Sequence, residues 1–315
     1  MSFFGNLPNF TNSYLGLDIG TTSVKMAEIS PEGVTGFRLK NYGLLESYGH
    51  LNRSNQVLQT SSLKLFEKDT VQFIKLLAQK MNPSTNKVIV SVPPFASFVT
   101  LIDLPLMTDT EMSKAIPFQV RQFVPMKMSE IAIDWQKVGE FELEDGSKME
   151  QILLVAISKE QIEKYREILR MAGLNLFAVE IEGLALSRSI IGGDKTTTLV
   201  IDIGSESTSF TIFDEGKLKL VSQNDFSSNT LTHALASGLN IDMERAEELK
   251  IERGLMGSGG EYELSTLMLP YLDAIIQEGS RLKTRYESER LRKVERVILT
   301  GGGSLLAGIH DYFVE

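Results

Sequence analysis

An aspartate two residues before a glycine, followed by small hydroxyl residues, occurs twice in this chain. Asp18-Ile19-Gly20-Thr21-Thr22-Ser23 and Asp202-Ile203-Gly204-Ser205-Glu206-Ser207 each follow an apolar run and precede a second one. At an offset of 184 positions Leu15/Leu199, Asp18/Asp202, Ile19/Ile203, Gly20/Gly204 and Ser23/Ser207 coincide, which implies a duplicated unit. Glycine lets the main chain approach a ligand closely. The hydroxyls and N–H groups that follow it then form an anion cradle. A carboxylate would repel phosphate, so Asp18 and Asp202 are read as holding a hydrated Mg²⁺, an ion that keeps several waters and needs few carboxylates. Two such tips facing each other would grip one triphosphate from both sides. For one copy alone, a tight hairpin turn is the alternative.

A third stretch, Val297 to Gly308, reads VILTGGGSLLAG. A buried strand is expected to run into Gly301, Gly302 and Gly303, with Ser304 opening a helix. That arrangement permits close backbone approach to a flat ring or an α-phosphate at the helix N-terminus; a structural turn is the alternative.

The elements that must carry these tips alternate between strand and helix. Each aspartate tip joins two strands, the first hairpin turning at Pro31-Glu32-Gly33 and the second at Asp214-Glu215-Gly216. Gly36 to Leu45 alternates like a strand. Leu63 to Met81 places Phe66, Phe73, Ile74, Leu77 and Met81 on one helical face, ending at Asn82-Pro83. Lys87 to Val92 is a short apolar strand, so strands and helices alternate as in an α/β sheet. From Ala96 the pattern changes. A strand is followed by a helix with a capping box at Thr108 and Glu111, a kink at Pro117 and an end at Pro125. Two strands, Ile131 to Phe141 and Gln151 to Ile157, come next. A second capping box at Ser158 to Gln161 opens a helix with Ile162, Tyr165, Ile168 and Leu169 inward and Gly173 as its stop. We read 96–172 as an inserted α+β subdomain of a first lobe made of 1–95 and 173–196, with 197–315 as the second lobe. In that lobe Met243 to Arg253 is a helix capped by Asp242 and stopped by Gly254, with a glycine-rich loop to Gly260 after it.

Composition narrows the classes. The 315 residues carry a formal net charge of −9, 42% hydrophobic residues and no cysteine. Thiol chemistry and disulfides are excluded, which fits a reducing compartment. No basic stripe with interleaved aromatics is present, which argues against a nucleic-acid partner. No apolar run approaches the roughly 18 residues that cross a bilayer, so no direct membrane insertion is expected. The amino end lacks a signal-peptide pattern and reads as a flexible lead-in, with Phe3 and Phe4 free to dock elsewhere.

Together these residues resemble the actin-like ATPase superfamily. DIGTTSVK, Asp18 to Lys25, is similar to its first phosphate motif; DIGSESTS, Asp202 to Ser209, to its second; and LTGGGSLLAG to its adenosine motif. Ala246-Glu247-Glu248-Leu249-Lys250 resembles the adenosine-contacting AExxK helix of the FtsA-like branch, so Glu247 and Lys250 join Gly301, Gly302, Gly303 and Ser304 as implied nucleotide contacts. Glu182, opening EGLAL, matches the segment behind the γ-phosphate. The resemblance makes it the candidate to orient water or Mg²⁺; a helix-start glutamate is otherwise a cap or an ion-pair member.

Within that superfamily the chain resembles the PilM family of type IV pilus assembly proteins, through VKMAEI, LIDLPLMTDTEMSKAI, LLVAISKEQIEKYREILRMAGL and FAVEIEGLAL in that order. Pro117 and Gln119 stand where the family has an unbroken helix and a glutamate, and Ser227-Ser228-Asn229 replaces a more glycine-rich turn. Family members continue past the point where this sequence stops, which implies a fragment.

The resemblance implies a fold of two duplicated RNase H-like lobes with an α+β insert in the first. It also implies MgATP binding between the lobes with at most slow hydrolysis, and a cytoplasmic location at the inner membrane. The implied partner is the cytoplasmic N-terminal tail of a single-pass PilN-like protein, held between the first lobe and the insert, alongside other platform proteins. One competing reading is a filament-forming ATPase of FtsA type, which would be expected to carry an amphipathic membrane helix. Another is a small-molecule kinase, for which Asp103, Asp109 and Asp134 are the candidate catalytic acids.

Overall fold

The computed structural model describes residues 12–33, 36–46, 63–124, 126–255 and 262–314, with the backbone alone for 63–67 and 262–263. The expected lead-in with Phe3 and Phe4, the end of a helix at Pro125, the side chain of Phe66 and the loop up to Gly260 lie outside the described residues. The chain divides into two compact units, Met1–Ala185 and Leu186–Glu315.

The first unit holds a five-stranded sheet. Strands β1 (Tyr14–Ile19), β2 (Ser23–Glu32) and β3 (Gly36–Glu46) form an antiparallel meander. Strands β4 (Lys87–Val92) and β8 (Asn175–Ile181) add in parallel on the other side of β1, giving the order β3-β2-β1-β4-β8. Helix α1 (Leu63–Met81) crosses from β3 to β4, and its Ile74, Leu77 and Met81 pack on Leu15, Leu17, Val24, Met26, Val88 and Val90.

A three-stranded antiparallel sheet, β5 (Phe98–Pro105), β7 (Lys148–Ser158) and β6 (Ile131–Glu142), is inserted between β4 and β8. It has its own core, in which Met112, Ile116 and Val120 of helix α2 (Asp109–Phe123) meet Ile102, Ile131, Ile152 and Leu154. Helix α2 starts with the expected capping box, Glu111 N–H to Thr108 Oγ1 and Thr108 N–H to Glu111 Oε2, and remains a single helix through Pro117. Helix α3 (Lys159–Met171), placed with the insert on sequence grounds, sends Tyr165, Ile168 and Leu169 into the core of the five-stranded sheet instead. Its expected capping box does not form. Ser158 makes no side-chain cap, the Lys159 N–H goes to the Glu130 carbonyl, and Glu160 pairs with Lys164.

The second unit repeats the meander. Strands β9 (Thr198–Ile203), β10 (Thr208–Asp214) and β11 (Lys217–Asn224) are antiparallel, and β12 (Arg296–Thr300) joins β9 in parallel. Helices α5 (Ser228–Leu239), α6 (Met243–Arg253) and α7 (Tyr262–Arg290) intervene between β11 and β12. Leu231, Leu235, Ala246, Met268, Leu272 and Ile275 close the core over Leu199, Ile201, Phe210 and Ile212. Helix α6 is capped as its sequence requires, with the Arg245 N–H on Asp242 Oδ1, and it ends at Gly254 with φ of 55°. Strand β12, expected to be buried, is the edge of its sheet, and Val297 is 51% exposed because no described strand lies beyond it.

The duplication extends below the level of sequence identity. Asp18 faces Lys25 and Ile19 faces Val24; 184 positions later Asp202 faces Ser209 and Ile203 faces Thr208. Each meander also has one bulge, between Glu28 and Ile29 in the first and between Ile212 and Phe213 in the second, again 184 positions apart. A bulge re-aims side chains and disrupts the ladder, so a matched position is an inherited feature and not a consequence of apolar patterning alone.

Candidate nucleotide-contacting tips

In the first unit Gly20 donates its N–H to the Ser23 carbonyl at 2.9 Å, and in the second Gly204 donates to Ser207 at 3.0 Å. A Cβ at either glycine would sit 3.0 or 2.8 Å from that same carbonyl oxygen, so the turn itself demands glycine. These two N–H groups are therefore used internally and do not serve the expected cradle. The amides of Thr22 and Glu206, at equivalent positions of the two turns, donate to no group among the described residues. With the half-exposed hydroxyls of Thr21, Thr22, Ser23, Ser205 and Ser207 around them, they suit a phosphate oxygen.

Asp18, next to last in β1, has both oxygens engaged. Lys25 Nζ lies 3.1 Å from Oδ2, and Ser91 on β4 donates to Oδ1 at 3.2 Å. Glu182 is the first residue of helix α4 (Glu182–Leu186), one position past the end of β8. It shares its neighbourhood with Tyr165, whose phenol burial pushes up to about 12; a hydrogen bond with Gln161 pulls down, and the charges of Glu182 and Asp18 add to the push. Asp18, Ser91 and Glu182 thus stand at the C-terminal ends of three adjacent parallel strands, where open α/β sheets bind ligands.

In the second unit the loop 204–207 is strapped to the start of α5. Ser228 N–H reaches the Gly204 carbonyl at 2.9 Å, Asn229 N–H reaches Ser205 at 3.0 Å, and the Asn229 amide reaches Glu206 Oε1 at 2.9 Å. The first amides of α5 are spent on the loop, leaving the helix as its support.

Asp202 abuts Gly301, where a Cβ would lie 2.2 Å from Asp202 Oδ1 and 2.5 Å from the Ile203 carbonyl; φ at Gly301 is 82°. Gly303 is packed as tightly on Ile203, with 2.3 Å to Cγ2, whereas a Cβ at Gly302 meets nothing within 4 Å. The three glycines therefore divide their work, two holding the loop against β9 and the middle one facing open space. Ser304 opens no α-helix. It lies in a short 3₁₀ turn, Gly302–Leu305, with its hydroxyl on the Gly301 carbonyl at 2.7 Å, and helix α8 (Ile309–Val314) begins five residues later. The expected helix N-terminus at Ser304 is absent because the glycine loop closes on itself first.

Lys250 is 5% exposed, and its ammonium meets Ser228 Oγ at 2.8 Å, the Ser228 carbonyl at 3.1 Å, Thr232 Oγ1 at 2.8 Å and Glu247 Oε2 at 2.7 Å. Burial lowers its pKa, while the Glu247 carboxylate acts the other way. It pins α6 to the start of α5. Glu247, 46% exposed at its side chain, keeps a solvent-facing side. No group of three or more metal-binding side chains exists among the described residues, so a divalent ion here would draw most of its ligands from water and phosphate.

Sequence reasoning missed Ser91, Tyr165, Ser228 and Asn229. Ser91 left one signal, a hydroxyl at the end of an apolar strand.

The model of a protein family described as type IV pilus assembly protein PilM matches residues 16–315. This chain belongs to that family. PilM membership carries a role in type IV pilus assembly. The chain is 25% identical to cell division protein FtsA of Enterococcus faecalis over 340 residues, covering 97% of this chain and 77% of that protein. Among solved structures it resembles a PilM-PilN type IV pilus biogenesis complex at 24% identity and a TM-score of 0.76, covering 98% of this chain and 86% of that one. It also resembles MreB 5 of Spiroplasma citri bound to AMPPNP, at 14% identity and a TM-score of 0.53, covering 96% and 88% of the two chains. The fold is that of actin-like ATPases. No helix among the described residues is long and apolar enough to cross a membrane.

Proposed function

We propose that this PilM-family chain binds MgATP through the two aspartate tips and uses the nucleotide to control a protein contact in the type IV pilus assembly platform. The observation that carries this reading is the matched pair of tips, identical in hairpin register, in the glycine-to-carbonyl bond and in bulge position, each with an amide at the same place that has no partner among the described residues. The MreB relative bound to AMPPNP supports it. The residues assigned to phosphate are Thr21, Thr22, Ser23 and Lys25 in the first unit and Ser205, Glu206 and Ser207 in the second, with Gly20 and Gly204 closing the turns that hold them. Asp18 and Asp202 are assigned to hydrated Mg²⁺, which would neutralise phosphate charge. Gly302 and Glu247 are assigned to the adenosine side, with Gly301, Gly303, Ser304 and Lys250 as their frame. No residue is placed as a general base, so turnover is expected to be slow, with Glu182 the candidate to orient water.

For the partner we assign the N-terminal cytoplasmic tail of a PilN-like membrane protein, supported by family membership and by the relative solved as a PilM-PilN complex. The insert, 98–158 by its own core, is assigned as part of that contact, and the membrane association follows from the partner. Nucleotide acts on this contact only by favouring one arrangement of the protein over another.

The test uses equilibrium binding of a fluorescent ATP analogue with Mg²⁺, and pull-down from solubilised membranes with the chain as bait. Saturable binding lost in Asp202→Ala, with recovery of a single-pass pilus protein, is the expected result. No binding by the unaltered chain refutes the nucleotide assignment. ATP-dependent pelleting of the bait alone moves the reading to an FtsA-like filament.

A further inference from the structure

Ser91 sits near the end of β4, in a run whose neighbours Val90 and Val92 are fully buried on the opposite face. Ser91 itself lies on the half-buried face of the strand, the face toward which Asp18 projects. Among the described residues its side chain bonds to Asp18 alone, donating to Oδ1 at 3.2 Å while Lys25 holds Oδ2 at 3.1 Å. The carboxylate is thereby fixed in rotation from two sides, by β4 and by β2.

The second unit places a hydroxyl residue at the same place in its sheet, without the bond to the aspartate. Thr300, at the end of β12, stands in register with Asp202 on β9, as Ser91 stands beside Asp18 on the parallel strand next to β1. Ser91 and Thr300 are 209 positions apart, off the 184-residue repeat, because the segments before β4 and β12 differ in length. A hydroxyl beside each tip aspartate is therefore a feature of the duplicated sheet that comparison of the two motifs in sequence does not reveal.

We propose that Ser91 is a positioning residue that sets the orientation of Asp18 toward nucleotide-bound Mg²⁺; this rests on the MgATP reading above. A hydrogen bond from outside the ligand set aims a carboxylate and tunes its charge, and losing such a partner typically costs a metal site about tenfold or more in affinity.

The test measures affinity for a fluorescent ATP analogue across a Mg²⁺ titration and again in EDTA, for the unaltered chain, Ser91→Ala and Ser91→Thr, with thermal melting alongside. Ser91→Ala is expected to raise the half-saturating Mg²⁺ concentration about tenfold while leaving the affinity in EDTA and the melting temperature unchanged, and Ser91→Thr to restore the Mg²⁺ dependence. An unaltered Mg²⁺ dependence in Ser91→Ala overturns the positioning role and leaves the MgATP reading standing. Equal loss with and without Mg²⁺ also overturns it, since the defect is then one of general structure. If the unaltered chain binds no better with Mg²⁺ than in EDTA, both the MgATP reading and this inference fail.

Discussion

Asp18 and Lys25 face each other across the first hairpin at 3.1 Å, and in the same register of the second hairpin Asp202 faces Ser209. The pair lies at the surface, with side chains 36% and 52% exposed, so the ion pair itself contributes less than about 1 kcal/mol to folding. Lys25→Ala is therefore expected to leave urea unfolding almost unchanged and to weaken nucleotide binding about tenfold, the scale of one charge-assisted hydrogen bond. A stability loss with unchanged affinity would make Lys25 structural.

The glycine loop separates frame from contact within three residues. Gly301→Ala puts a Cβ into Asp202 and the Ile203 carbonyl from a left-handed backbone and should destabilise by about 1–3 kcal/mol. A Cβ at Gly302 meets nothing within 4 Å, so Gly302→Val should melt close to the unaltered chain. If the open side of Gly302 receives adenosine, nucleotide affinity drops in Gly302→Val. Full affinity in that variant, measured by the same fluorescence titration, moves the adenosine elsewhere.

How much of this was legible in the sequence depends on distance along the chain. Both tips, the cap at Asp242 and the capping box at Thr108 are local, and all four form as their residue types require. The destination of α3 was not legible, because periodicity shows that a helix buries one face and not which sheet receives it. The Ser158 box had the right letters, yet Glu130 took the Lys159 amide from a strand-preceding turn 29 residues away. Lys250 reads as a ligand by its motif, and only the fold brings Ser228 and Thr232 around its ammonium. Ser91 next to Asp18 required the strand order.

Lys250 allows a frame residue to be told from a contact residue. Lys250→Met removes the cation that satisfies Ser228, Thr232 and Glu247, and leaving such groups unpaired costs about 1–3 kcal/mol. Chemical denaturation should show that loss whether or not nucleotide is present. If stability is unchanged without nucleotide and the added stabilisation by MgATP disappears, Lys250 acts on the ligand after all.

The insert offers a surface on which the partner reading can be decided. Phe118 lies on α2 opposite the buried Ile116 and Val120 and is 67% exposed, with the Arg121 guanidinium 5.6 Å from its ring centre; Phe123 and Met126 nearby are each 43% exposed. Arginine and large aromatic side chains recur among the residues that dominate binding energy, and removing such an anchor costs about 2 kcal/mol or more. Phe118→Asp is therefore expected to weaken binding of a synthetic PilN-like tail at least about tenfold without lowering the melting temperature, because little of Phe118 is buried on folding. Ile251, 68% exposed on α6 of the second unit, supplies the control, and Ile251→Asp should bind the tail normally. Isothermal titration of both variants settles the matter. Loss in both would reflect charge or general damage, and loss in neither would take the α2 face out of the contact.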